Sequence, residues 1–236
     1  AQHCGNGVRC AASSVLRRHR QSSNEKLEGV EFQVEGRPMS AQFFLASDGH
    51  QYPLVSVEMG ACAVGAEVSF HGAVEAELKK AESELNIKGL TADWEAAEIG
   101  NPHIVIATPD ASTELIRKVG PFLQKSEAWD GMNIHLVREK EITDDDKRRS
   151  GNEIGHSISE LYEVFVWERG AGETMACGSG ACAVAKKTFA TGFVGQDEWV
   201  AIDMPGGRLY VSENATTGSM ILAGPARFAF EGTVEV

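Results

Sequence analysis

The chain has no long apolar run. A membrane-spanning helix needs about 20 consecutive apolar residues, and every apolar stretch in these 236 residues is interrupted well before that. The opening residues carry no apolar signal-peptide core. Positive charge is scarce, with 22 Lys and Arg against 34 Asp and Glu and a formal net charge of -12. No basic patch of the kind that holds nucleic-acid phosphates is present, and an anionic membrane surface is an equally poor partner. Cysteine is sparse and odd in number: Cys4, Cys10, Cys62, Cys177 and Cys182. A disulfide framework belongs to short secreted chains. The Cys-x5-Cys and Cys-x4-Cys spacings are not those of a structural zinc site, so no metal is expected. What remains is 42% hydrophobic and 24% charged, the composition of an ordinary globular protein with a small-molecule partner. At about 100–200 residues per domain, the length fits one large domain or two small ones.

Strands come in runs and helices are few, which predicts an α+β fold rather than an alternating βαβ one. Residues 5–20 read as a helix, because a Gly-Asn-Gly turn leads into VRCAASSVLRRHR, apolar early and cationic late as the macrodipole favours. Between residues 30 and 60, VEFQVEG and AQFFLAS alternate as strands do, and Val57-Glu58-Met59-Gly60 closes that run as a boundary. Glu75–Ser83 reads as a short helix, His103–Thr108 as a buried strand, and Asp110 or Ser112 as the cap of a helix reaching about Gln124. Asn133–Val137 and Leu161–Trp167 read as strands and Ser179–Gly192 as a helix. The tail reads as short strands joined by Pro-Gly-Gly and Glu-Asn turns. The polar segment Arg138–Ser159 is expected to be a loop or an exposed turn.

One element occurs twice. CGNGVRCAAS starts at Cys4 and CGSGACAVAK at Cys177. Each is Cys-Gly-polar-Gly, then a helix of small residues with a second cysteine inside it. The repeat suggests two similar half-domains. The glycines admit close approach of a ligand, and the free N–H groups of a helix start bind anions such as a carboxylate. A thiol beside that positive end is expected to have a lowered pKa. Two facing copies would offer two thiols to one carboxylate-bearing carbon, with one acting as base and the other as acid, while the helix starts stabilise the developing charge. That scheme inverts a stereocentre without a metal or prosthetic group. Cys10 and Cys182 read as small buried hydrophobes, and Cys62 carries no motif.

Further landmarks stand in a fixed order: Cys4-Gly5-Asn6-Gly7-Val8-Arg9-Cys10, Val57-Glu58-Met59-Gly60, Asn101-Pro102-His103, and the run from Glu168-Arg169-Gly170-Ala171-Gly172-Glu173-Thr174 through Ala176-Cys177-Gly178-Ser179-Gly180-Ala181-Cys182-Ala183. Pro205-Gly206-Gly207 and Gly224-Pro225-Ala226 follow. Together they resemble the diaminopimelate epimerase family. The resemblance implies two pseudo-symmetric α+β domains, each a curved antiparallel sheet around a central helix, with the site between them. Residues 1–60 with about 228–236 would form one half-domain and 61–227 the other. The first is expected to be N-terminally truncated, because the family pattern opens with strands and two substrate-binding asparagines ahead of the first cysteine motif.

The resemblance further implies a cofactor-independent epimerase, free of pyridoxal phosphate, converting LL- to meso-diaminopimelate for lysine and peptidoglycan synthesis. The setting would be a bacterial cytoplasm, with a plastid as the alternative, and it leaves room for a homodimer. Cys4 and Cys177 would be the acid/base pair. Backbone N–H groups of Gly5, Asn6, Gly178 and Ser179 would hold the reacting carboxylate. Asn101, Asn133 and Arg169 would recognise the distal end, with Glu168 and His103 near the thiols and Thr174 supporting the second cysteine loop. Structural roles compete at several positions: a core histidine at His103, an ion pair at Glu168–Arg169, a strand-end turn at Asn133, and a solvated or structural His135. The alternatives for the whole chain are an epimerase or racemase of another amino acid on the same fold, or an amino-acid-binding remnant without turnover. A disulfide between Cys4 and Cys177 would inactivate the enzyme.

Overall fold

The computed structural model describes residues 4–34, 36–44, 54–128, 131–195 and 197–233. Its elements are α1 (Gly5–Ser22), β1 (Gly29–Val34), β2 (Arg37–Phe44), β3 (Leu54–Ala61), β4 (Ala63–Val64), α2 (His71–Leu85), β5 (Trp94–Glu98), β6 (Pro102–Ala107), α3 (Thr113–Gln124), β7 (Asn133–Glu139), α4 (Asp144–Ile154), β8 (Ile158–Glu168), β9 (Gly172–Thr174), α5 (Gly178–Ala190), β10 (Trp199–Met204), β11 (Gly207–Glu213) and β12 (Ser219–Pro225). The α+β class is as expected. Hydrogen bonds link the strands in the order β1-β2-β3-β12-β11-β10-β8-β7-β6-β5-β4, with β9 added to β8. Most neighbours are antiparallel. The pairs β6–β7 and β8–β10 are parallel, and each is joined through a crossover that contains a helix, α3 and α5 respectively, as parallel neighbours require. No helix among the described residues is long and apolar enough to cross a membrane.

The sheet is covered by helices that differ in kind. The α5 surface is made of small residues, and Gly178, Gly180, Ala181, Cys182, Ala183 and Ala185 are all buried, which lets its backbone lie close to the strands. It shares a core with β3, β10, β11 and β12 through Val57, Ile202, Val211 and Leu222. Helices α2 and α3 cover the other end, where Leu78, Ile116 and Leu123 meet Ile104, Ile106, Ile134 and Leu136. Each such side chain contributes about 1.5–3 kcal/mol on burial. Register places the candidate residues: His103 pairs with Asn133 across β6–β7, Ile134 with Trp167 across β7–β8, and Leu222 with Val57 across β12–β3.

Several expected boundaries move. Ser112, not Asp110, caps α3, its hydroxyl accepting from the Leu115 N–H at 3.2 Å. The short helix expected at Glu75–Ser83 extends to His71–Leu85. The expected loop Arg138–Ser159 contains a helix, α4. Thr143 and Asp146 cap it reciprocally, three aspartates fill its first turn, and Gly155 ends it at φ 73°. Ser150 and Ile154 are its buried residues, so its polarity hid it while its caps announced it. Residues 45–47, the last three of the strand expected at AQFFLAS, lie outside the described residues, as do 1–3 and 234–236 at the chain ends.

Candidate active site

Both Cys-Gly-polar-Gly elements fold as helix starts. Cys4 is the N-cap of α1, its sulfur accepting from the Gly7 N–H at 3.3 Å. Cys177 is the N-cap of α5, its sulfur accepting from the Gly180 N–H at 3.4 Å. The two starts meet. A Cβ on Gly178 would stand 3.3 Å from Asn6 Oδ1, and the Leu222 methyl Cδ2 would lie 3.0 Å from a Cβ on Gly5 and 2.8 Å from one on Gly178. Asn6 Oδ1 is buried there without a hydrogen-bond partner among the described residues. Met59 Sδ packs under Gly5 and also borders a cavity of about 420 Å³ lined by Met39, Glu58, Gly60, Ile99 and Gly100. The helix starts at Gly5-Asn6 and Gly178-Ser179, each directly following its cysteine, therefore lie together.

The thiols differ in environment. Cys4 is exposed and Cys177 is 3% exposed. Burial, then the Glu168 carboxylate, push the Cys177 thiol up to about 12. The lowered pKa expected from the helix start is overturned at this position: desolvation outweighs the N–H of Gly180 and the Ser179 hydroxyl, which lies 3.5 Å from the sulfur. The Cys177 N–H is itself directed at Met204 Sδ, 3.4 Å away. Cys182 is buried as expected. Cys10 is exposed on α1, contrary to expectation, because the α1 face that packs inward carries Val8, Ala12 and Leu16 instead.

Behind Cys177 lies a chain of polar side chains. His103 Nε2 is 3.1 Å from Asn101 Oδ1, and His103 Nδ1 is 2.9 Å from His135 Nε2. Both imidazoles are fully buried, and burial holds both well below the usual histidine range, His135 at about 3. They are neutral. Asn101 Oδ1 can only accept, so His103 carries its hydrogen on Nε2 and accepts on Nδ1 from His135. His135 Nδ1 is left buried with no partner among the described residues. Gly180 makes this arrangement fit: a Cβ there would overlap His135 Cε1 and lie 2.7 Å from Nε2. The sequence predicts a solvated or structural role for His135. It is buried and joined to His103, a placement that its position two residues after Asn133 on β7 allows.

Asn133 ties two strand ends together. Its amide donates to the Pro102 carbonyl at 3.3 Å and accepts from the Arg169 N–H at 3.0 Å. The Arg169 stem lies over Gly131, where φ is 69° and a Cβ would be 2.5 Å from Arg169 Cδ. Glu168 accepts from the Thr174 hydroxyl at 2.6 Å. That bond fixes the carboxylate beside Cys177 and closes the β8–β9 turn, whose register pairs Glu168 with Gly172.

A family model for diaminopimelate epimerase matches residues 95–229. The chain belongs to the diaminopimelate epimerase family. Over 240 residues it is 30% identical to a diaminopimelate epimerase of Pseudomonas syringae pv. tomato, spanning 100% of this chain and 74% of that protein. It is 32% identical over 234 residues to one of Xanthomonas euvesicatoria, spanning 98% and 71%. Members of this family are isomerases. Among solved structures the fold is similar to that of a PhzF-family phenazine biosynthesis protein of Bacillus anthracis, with TM-score 0.58 and 12% identity over 95% of this chain and 73% of that one. It is also similar to a hydroxyproline epimerase of Agrobacterium vitis, with TM-score 0.56 and 13% identity over 92% and 62%.

Proposed function

We propose that the chain epimerises LL-diaminopimelate to meso-diaminopimelate with Cys4 and Cys177 as the acid/base pair. The observation that carries this reading is the meeting of two cysteine-capped helix starts on Leu222. A substrate α-carboxylate held by the free N–H groups of Gly5, Asn6, Gly178 and Ser179 would sit at two positive helix ends at once, and these donors strengthen as charge develops on the carboxylate during proton removal. Cys177, kept as a thiol at neutral pH by burial and Glu168, is suited to give a proton. Cys4 would take the α-proton from the opposite face. Once the product forms, Cys4 carries the proton and Cys177 the charge, with Ser179 and the Gly180 N–H stabilising that thiolate. In the reverse direction the roles exchange.

Asn101, Asn133 and Arg169 would receive the distal amino and carboxylate groups, with Arg169 supplying a planar donor for the second carboxylate. His103 would orient Asn101, and Thr174 would hold Glu168. The product would serve lysine and peptidoglycan synthesis. The test is α-proton exchange in D2O followed by NMR, with LL-diaminopimelate, a reductant and no added cofactor. Deuterium should appear at the α-carbon with inversion. Cys4→Ala or Cys177→Ala should each reduce the rate by about 10²–10⁴-fold, the scale of a lost general acid or base. Unchanged turnover in either variant would overturn the two-thiol scheme, and no exchange in the wild type would overturn the substrate.

A further inference from the structure

We propose that Cys177, His103 and His135 form a site for a borderline-soft divalent cation of the zinc class, bound through one thiolate and two imidazole nitrogens. The sulfur and one ring nitrogen of each histidine all lie within 4.8 Å of one another, and all three side chains are buried. Cys177 caps α5, while His103 stands on β6 and His135 on β7, so no sequence spacing reveals them. The donor set contains no carboxylate. Hard cations such as Mg²⁺ and Ca²⁺ take oxygen ligands, whereas sulfur with imidazole suits Zn²⁺ and its analogues Co²⁺ and Cd²⁺.

Three features prepare the site. Both imidazoles are neutral, so each offers a nitrogen lone pair and neither loses a proton when a cation binds. The His135 Nδ1 lone pair has no partner among the described residues, a desolvated acceptor that costs stability until something occupies it. His103 donates its other ring nitrogen to Asn101 Oδ1 at 3.1 Å, the outer bond that metal-bound histidines characteristically make. Zn–N bonds of about 2.0–2.1 Å and Zn–S bonds of about 2.3 Å require the three atoms to draw in around the ion. The His103–His135 hydrogen bond is given up in doing so.

Binding is balanced by one proton. The Cys177 S–H becomes an S–metal bond and its hydrogen leaves to solvent, which makes affinity rise with pH. With three protein ligands, a fourth position stays open for water or a substrate carboxylate. A thiol bound in this way cannot exchange protons with the substrate, so the cation acts as a reversible inhibitor. That consequence rests on the two-thiol reading above, while the site itself does not.

The test is titration of the full chain with Co²⁺ in the presence of a phosphine reductant, read by the sulfur-to-cobalt charge-transfer band and the tetrahedral d–d bands. One equivalent should saturate both bands and release one proton. Cys177→Ala should abolish the charge-transfer band, His135→Asn should weaken binding by at least about 10–100-fold, and Cys4→Ala should leave the bands unchanged. Circular dichroism accompanies each variant. If His135→Asn is unfolded, Asn101→Ala is the substitute, with a loss of about 10–100-fold expected from the missing outer bond. No charge-transfer band in the wild type, or equal affinity in wild type and folded His135→Asn, would overturn the site. An epimerase assay with Zn²⁺ runs alongside. Bands at one equivalent without inhibition would uphold the site and remove Cys177 from the reaction.

Discussion

The two helix starts share a four-residue pattern and the same cap, yet their third positions after the cysteine live in different surroundings. A Cβ on Gly7 would meet Cys4 Sγ at 3.4 Å, an ordinary packing distance, whereas a Cβ on Gly180 would run into the His135 ring. Cys4 is exposed and Cys177 is enclosed. The pattern sets local geometry, a sulfur accepting from the N–H three residues on. What stands around that geometry sets the state of the sulfur. At Cys177, removal from water and a neighbouring carboxylate overcome the helix start.

The sharpest way to break the likeness is a matched pair of alanines. Gly180→Ala forces the His135 ring or α5 to shift and should cost about 1–3 kcal/mol, the range for overpacking a filled core. Gly7→Ala should be neutral or gain up to about 1 kcal/mol, because alanine orders a helix better than glycine. Urea unfolding of both variants decides it, and equal losses would remove the distinction. Thiol alkylation gives a smaller contrast. Cys4 and Cys10 should react at least about tenfold faster than Cys62, Cys177 and Cys182, because reactivity follows exposure and thiolate fraction. Timed trapping and peptide mass spectrometry read this directly.

The smallest effect concerns pH. Burial raises Cys62 and Cys177 from the ordinary 9.0 to about 12. A group whose folded pKa is raised keeps its contribution below the unfolded value and loses it as pH climbs toward the folded one. Stability should therefore hold up to about pH 9 and decline toward pH 12. Melting temperatures across that range should fall less steeply for Cys62→Ala than for the wild type.

Much of this arrangement was legible in the sequence, and what was hidden shares a cause. The repeated Cys-Gly-polar-Gly elements and the strand at His103 are local patterns that appear where local rules place them, and of the two candidate caps, Asp110 and Ser112, the second is the cap. Helix α4 was missed because hydrophobic periodicity is a signal of burial and α4 buries little, even though Thr143, Asp146 and Gly155 mark its ends. His135 was missed because its partner is 32 residues away and its neighbour across the fold is a glycine on another helix. Register and close approach are properties of the assembled sheet. No window along the chain contains them.

Leu222 has a mechanical role. One methyl group abuts both Gly5 and Gly178, and its strand pairs with β3 on one side and β11 on the other. Leu222 is thus a shim mounted on the sheet between the two cysteine-bearing helix ends, and it gives both ends one reference point, as a gauge block does its jaws. A displacement of that side chain is inherited by every atom that must be reached from both faces.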